Sequence, residues 1–302
     1  MLEISLLGTG GMIPLHNRYL TAMLVRYNGT MLLVDCGEGT QITMRRLGWG
    51  FVNLDCILFT HFHADHISGL PGMLLSLSNY GRTAPLTIAG PKGIETVVNN
   101  LRVIAPELMY PIEFKELSFK GHKVIDFVIS DFHISSLPLC HGIPCIGYSI
   151  TIPRSGKFDR ERAEKLNIPV RYWSKLQKGE TAEKYTPDMV LGPPRKGLKV
   201  SYITDTRPID TIPQFIENSD LFICEGMYGD DAMKQKADRF YHMIFSDAAK
   251  LAKAGNVKEL WFTHYSQAFE NPEDWTESVS GIFENAKAGT DRMIKILHFE
   301  GA

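Results

Sequence analysis

Three imidazoles and one carboxylate crowd into six residues at Thr60-His61-Phe62-His63-Ala64-Asp65-His66, directly after the apolar run 55–60. Nitrogen and oxygen donors of this kind suit Zn²⁺, with Mn²⁺ as an alternative. If extended backbone continues past the run, His61 and His63 point to the same side, and a turn at Ala64 swings Asp65 and His66 toward a second position. That geometry predicts two metals, which need more ligands than the cluster holds. Ligand types recur at the ends of later apolar runs: His141 after SSLPLC, Asp205 after VSYIT and His264 after ELWFT. Each sits where a strand should end, the place from which loops converge on a site.

The elements that must position these side chains alternate along the chain. LEISLL reads as a strand, and TAMLVRY and TMLLVDCG flank Asn28-Gly29, a type I′ hairpin signal. A helix is expected after Gly39, then a buried strand in DCILFTH, a loop entering a helix in HISGLPGMLLSLSN, a strand in LTIAG and a helix in GIETVVNNL. DFVISDFHISSL and CIGYSITI read as one strand each, followed by strands in KVSYITD, DLFICEG and KELWFTH. Helices are expected near SDAAKLAKAG and, finally, SGIFENAKA. Strands with interspersed helices predict an α/β or α+β fold.

With 302 residues, 44% of them hydrophobic and 22% charged, the chain suits a globular fold with a substantial core. Thirty-two basic against 34 acidic residues give a net charge of -2, so any nucleic-acid contact must be local. No run of 18 apolar residues occurs, and Glu3 stands where a signal peptide would carry a basic residue, so no membrane partner and no secretion are expected. Five scattered cysteines without CxxC spacing fit a reducing, cytoplasmic compartment.

One stretch departs from the alternation. Between 153 and 187 apolar periodicity is weak, and 154–178 carries eight basic residues against three acidic ones, a net of +5. It reads as either a solvated loop or a functional basic arm inserted in a single domain spanning 1–302.

THFHADHISGLPGMLLSL resembles the HxHxDH signature of the metallo-β-lactamase superfamily, and its GLPG continuation resembles the ribonuclease Z family of tRNA 3′ endonucleases. LGTGG, VDCGEGTQ, CHGIPCIGYSI, VLGPPRKGLKVSYITDTRP and FTHYS extend the resemblance over nearly the whole chain. It implies an αββα four-layer sandwich with an arm that grips tRNA, a homodimer, and zinc-dependent cleavage at the 3′ end of precursor tRNA. It further implies that His61, His63 and His141 hold one zinc and Asp65, His66 and His264 the other, with Asp205 bridging. Asp65 would orient or deprotonate the nucleophile, and His242, paired with Glu225, would protonate the leaving group.

The sequence departs from the family where Met243 and Ile244 replace a Ser-Thr pair and where Val170 and Arg171 replace a Gly-Pro pair in the arm. Two other functions are compatible with the residues: a phosphodiesterase or sulfatase paralogue acting on small esters, and a non-catalytic nucleic-acid-binding protein with structural zinc. Arg171, Lys175 and Lys178 are candidate substrate contacts, and Arg207 is either a phosphate contact or a structural pair. Gly8, Gly10 and Gly11 offer phosphate-binding amides or a tight turn. Tyr172 and Trp173 offer base stacking or packing, and His16, His122, His133 and His298 read as surface or packing residues.

Overall fold

The computed structural model describes residues 1–121 and 123–301, so His122 lies outside the described residues. The first half runs β1 (Leu2–Gly8), β2 (Ala22–Tyr27), β3 (Thr30–Val34), α1 (Thr40–Leu47), β4 (Leu54–Leu58), α2 (Ala64–Ile67), α3 (Leu70–Asn79), β5 (Leu86–Pro91), α4 (Ile94–Leu101) and β6 (Ile112–Leu117). Next come β7 (Ile125–Ile129), β8 (Phe132–Leu139), β9 (Cys145–Arg154), α5 (Arg160–Lys165), α6 (Val170–Gln177) and β10 (Arg195–Ile203). The chain ends with α7 (Ile212–Phe215), β11 (Leu221–Glu225), α8 (Lys234–Arg239), α9 (Phe245–Ala254), β12 (Leu260–Thr263), β13 (Ala286–Ala288) and β14 (Ile294–Leu297).

Two seven-stranded mixed sheets result, ordered β14-β1-β2-β3-β4-β5-β6 and β13-β12-β11-β10-β9-β8-β7. The period-2 alternation of strand side chains partitions the core. Leu32 and Val34 of β3 face the other sheet, where Tyr148, Tyr202 and Trp261 meet them, while Met31 and Leu33 face α1 and α3. On the second sheet Phe222 and Phe262 turn outward to pack α7 and α9. The layers are therefore helix, sheet, sheet, helix, as the αββα expectation requires. The β2–β3 hairpin turns through Asn28 and Gly29 at φ of 50° and 85°, the paired positive angles of a type I′ turn.

Two expectations need correction, and one strand was not foreseen. DFVISDFHISSL forms two antiparallel strands, β7 and β8, because the chain reverses at Ser130 with φ of 50°, a turn without the usual Asn-Gly marker. The helix expected in SGIFENAKA is absent: a 3₁₀ turn at Glu277–Val279 leads to β13, whose Ala286 pairs with Leu260 of β12. Alanine favours helix, but the open edge of β12 offers backbone partners that override propensity. The strand β6 gave no clear signal because its IEFKEL is mostly half-exposed.

The basic segment is folded rather than structureless. Asp159 caps α5 by accepting the Arg162 N–H at 2.9 Å, and Ala163, Ile168, Leu176, Ala182 and Val190 form a small core of their own. Its neck is a pair of backbone hydrogen bonds, Asp159 N–H to Val190 O at 2.7 Å and Gly192 N–H to Lys157 O at 2.9 Å. The folded unit thus reaches past 187 to about 192. Trp173 donates to Ile168 O and packs on Phe158, and Tyr172 packs on Tyr185, so both aromatics serve the arm's core.

Candidate metal centre

The side chains of interest leave the ends of strands in both sheets: β3 and β4 are neighbours in the first, β10, β11 and β12 in the second, with β8 one strand further on, beyond β9. His61, His63, Asp65 and His66 follow β4; His141 follows β8; Asp205 follows β10; Glu225 ends β11; His264 follows β12. In open α/β sheets such strand ends form the natural crevice for a ligand. Asp35, after β3, joins them, and Asp35, Asp205 and His264 sit at φ of 59°, 52° and 56°. This left-handed backbone turns each side chain back over the strand ends.

All seven predicted ligands meet in two groups. In the first, His61 Nε2 lies 3.0 Å and His141 Nε2 3.2 Å from His63 Nδ1, with Asp205 Oδ1 at 3.9 Å from both Nε2 atoms. In the second, His66 Nε2 and His264 Nε2 are 3.1 Å apart, and Asp65 Oδ2 is 3.3 Å from His264 Nε2. Asp205 Oδ2 approaches both of those imidazoles, at 3.2 and 3.3 Å. One Asp205 oxygen therefore faces each group. Imidazole nitrogens 3.0 to 3.2 Å apart cannot all share protons, but they match the edge of about 3.3 Å expected for a tetrahedron of donors about 2.0 Å from a zinc ion. The donor set thus fits a metal.

The next layer sets the tautomers. His66 Nδ1–H donates to Asp35 Oδ2 at 2.8 Å, and His61 Nδ1 is 3.0 Å from Thr60 Oγ1, whose hydroxyl in turn reaches Asp35 at 2.9 Å. Both rings are left with Nε2 aimed at the site, the usual arrangement of metal-binding histidines. Asp35 is fully buried; nothing in VDCGEGTQ singled it out beyond the resemblance. Burial raises the Asp35 carboxyl, and the Asp205 and Asp35 charges raise His66 against its own burial; it is the 2.8 Å hydrogen bond to Asp35 that places a proton on Nδ1. Burial and the neighbouring imidazoles push His61 well below its usual range, and burial brings His141 down to about 4, leaving neutral rings able to ligate. Burial alone would raise Asp65 and Asp205, but the surrounding histidines hold both below the usual carboxylate range.

Asp65 is also fixed from outside the group. Its Oδ2 accepts the backbone N–H of Met12 at 2.7 Å, a contact with no side-chain signature in the sequence. The glycine cluster has a different role from the phosphate cradle considered above. Gly10 and Gly11 donate their amides to Tyr19 O and Tyr265 O, and a Cβ on Gly11 would lie 2.8 Å from His264 Cε1. The absent side chain lets the loop close against the imidazole.

His242 lines the same cleft, of about 690 Å³, with Met12, Ile13, Phe240 and the metal-facing side chains. Its Nδ1–H donates to Glu225 Oε2 at 2.9 Å, while Glu225 Oε1 accepts Thr206 N–H at 2.6 Å. Burial opposes the imidazolium, but the Glu225 charge and hydrogen bond, with Asp205 and Asp65, lift His242 to about 9. Met243 is buried, and Ile244 precedes α9, where its N–H reaches Asp247 Oδ2 at 3.4 Å. Arg207 is tied down: its Nε donates to Asp238 O at 2.7 Å and its guanidinium lies 4.2 Å from the Tyr241 ring centre. Arg171, Lys175 and Lys178 are exposed on the arm and belong to no part of the cleft. His16, His133 and His298 take no part in the ligand groups.

Comparison with known proteins supplies the context. The chain is 52% identical to the ribonuclease Z of Clostridium kluyveri over 304 aligned residues, covering 99% of this chain and 100% of that protein. It is 44% identical to the ribonuclease Z of Clostridioides difficile, again over 99% and 100% of the two chains. A family model described as "Anti-Pycsar protein Apyc1" matches residues 2–100. Among solved structures, the short form of human tRNase Z superposes with a TM-score of 0.72 at 22% identity, covering 98% of this chain and 100% of that one. The metallo-β-lactamase fold protein YhfI of Bacillus subtilis gives 0.68 at 18% identity, covering 97% and 98%. The fold is thus the metallo-β-lactamase fold.

Proposed function

As a member of the ribonuclease Z family, the chain is a metal-dependent hydrolase that processes the 3′ end of tRNA, and on that premise we propose how its residues divide the work. Two zinc ions per chain, with Mn²⁺ as a substitute, would be held by His61, His63 and His141 on one side and Asp65, His66 and His264 on the other, with Asp205 available to both. The observation that carries this reading is the shared carboxylate, each of whose oxygens faces a different group of imidazoles. When bound, the metals supply Lewis acidity for a phosphodiester and its attacking water.

The protein's own groups do the rest. Asp65, clamped by the Met12 amide, keeps one carboxylate in place to orient the attacking water and accept its proton. His242 enters the reaction as imidazolium, because Glu225 holds Nδ1 and stabilises the charge, and hands its Nε2 proton to the departing 3′ oxygen. Thr206 and Cys140 lock the loop around Asp205: Cys140 N–H donates to Thr206 Oγ1 at 3.0 Å, and Thr206 N–H donates to Glu225. Acid and bridging carboxylate therefore share one scaffold, which favours precise placement.

Precursor tRNA is the substrate, gripped by the arm through Arg171, Lys175 and Lys178 at phosphates, and the working form is a homodimer in the cytoplasm. No helix among the described residues is long and apolar enough to cross a membrane. The decisive experiment combines metal analysis with cleavage of precursor tRNA by wild type and Asp205→Ala. Two ions per chain in wild type, with loss of metal and of activity in the variant, is the expected result. A stoichiometry of one with undiminished Asp205→Ala activity overturns the shared-ligand arrangement.

A further inference from the structure

Beside the cleft lies a second, smaller pocket of about 180 Å³ lined by Tyr228, Asp230, Met233, Lys236, Phe269 and Trp275. Tyr228, Lys236, Ser266 and Ala268 line both spaces, so the pocket adjoins the metal centre. Its walls are aromatic. Phe269 and Trp275 meet edge to face with ring centres 6.2 Å apart. Gly229 lets them close over the backbone, since a Cβ there would lie 2.5 Å from Trp275 Cγ and 2.7 Å from Phe269 Cζ. Trp275 keeps 37% of its surface exposed. At the passage between the two spaces Lys236 Nζ stands 5.0 Å from the centre of the Tyr228 ring, and it forms no ion pair among the described residues.

These features differ from a core defect in two ways: the rings line an open space, and Lys236, which forms no ion pair among the described residues although Asp230 lines the same pocket, stands between it and the metal centre. Flat aromatic walls with an adjacent positive charge are how proteins hold unpaired nucleotides, the rings taking the base and the cation the phosphate. The volume lies below the roughly 300 to 1,000 Å³ of pockets that enclose whole drug-sized ligands. One ring system fits, not a complete nucleotide.

Resting on the ribonuclease Z reading, the geometry points to the Tyr228–Phe269–Trp275 pocket as the seat of one unpaired base next to the scissile phosphate, with Lys236 against the phosphate joining it to the metal centre. The base belongs either to the last nucleotide kept on the tRNA or to the first nucleotide of the trailer. The chemistry is the same for both, and the test separates them. Seating a base here sets the register of the strand, so that a single phosphodiester lies over Asp205.

The experiment uses three precursor tRNAs: intact, abasic immediately 5′ of the cleaved bond, and abasic immediately 3′ of it. Each is cut by wild type, Trp275→Ala, Trp275→Phe and Lys236→Gln. On the intact substrate Trp275→Ala should lower kcat/KM by about 5-fold to 150-fold, the range of one stacked base, and Trp275→Phe should recover most of it. One abasic substrate should show a similar loss with wild type and no further loss with Trp275→Ala, which names the base. Lys236→Gln should weaken cleavage and flatten its salt dependence. The proposal is overturned if Trp275→Ala has no effect, if its loss adds fully to both abasic losses, or if Trp275→Phe is as poor as Trp275→Ala with a lowered melting temperature. Wild type that cuts no precursor tRNA at all would remove the ribonuclease Z reading and this proposal with it, whereas normal cleavage without coupling removes the pocket alone.

Discussion

Asp35, Asp205 and His264 hold left-handed backbone at the ends of β3, β10 and β12, a conformation that costs an L-residue of the order of 1–3 kcal/mol. Such strain persists where the site over-determines it, and here it turns each side chain inward. Asp35 belongs to neither ligand group but fixes the His66 tautomer; Asp35→Ala should weaken metal binding about 10-fold to 100-fold, read by competition with a chelator. His242→Ala should keep both metals yet slow turnover by about 10²-fold to 10⁴-fold, less on an aryl ester whose leaving group needs no proton. Equal losses on good and poor leaving groups would instead mean structural damage. Because Glu225 raises His242 while burial lowers it, Glu225→Gln removes the raising influence, so the acid form is lost at lower pH. The alkaline limb of the kcat profile should move to lower pH; an unmoved limb would assign the acid elsewhere. The convergence of the seven candidate ligands was legible because four cluster within six residues and three end apolar runs. Asp35 and the Met12 amide were not, since a lone buried carboxylate and a backbone N–H leave no spacing to read.

Among the elements, the arm departs furthest from its expected form. Phe158, Ala163, Ile168 and Leu176 are too sparse to give a helical period, yet α5 and α6 bring them together over a neck of two backbone hydrogen bonds. The apolar run of β7 and β8 hid a turn at Ser130, and the alanines of β13 suggested helix although strand pairing decided their state. In each case a contact distant in sequence settled what local composition left open. Because the neck lies away from every ligand, replacing the arm between its neck residues by a short turn should impair precursor tRNA cleavage strongly and leave hydrolysis of a small aryl phosphodiester nearly intact. Neutralising Arg171, Lys175 and Lys178 should give a milder loss with a shallower salt slope. Unchanged tRNA cleavage after excision would take the arm out of substrate binding. Tyr172 and Trp173 are engaged in the arm's core, so Trp173→Ala should act by loosening α6 and not by removing a base-stacking surface.

For the molecule as a whole, the metal-facing groups sit on the seam between the sheets: four follow β4 of the first, and His141, Asp205 and His264 follow strands of the second. Ions bound there would stabilise the folded state only, by about 2.7 kcal/mol at a free concentration one hundred times the dissociation constant. Chelation should therefore lower the melting temperature, and metal return should restore it; a melting temperature indifferent to chelator would place the ions outside the seam. The chain crosses from one sheet to the other between β6 and β7 and returns only with β14, which pairs with β1. Severed between β6 and β7, the protein becomes a pair of complementary fragments, each with half a coordination sphere and one bare face of the inter-sheet core. Co-expressed, they should reassemble, and tight metal uptake would then act as a coincidence detector, reporting the presence of both fragments and silent for either alone.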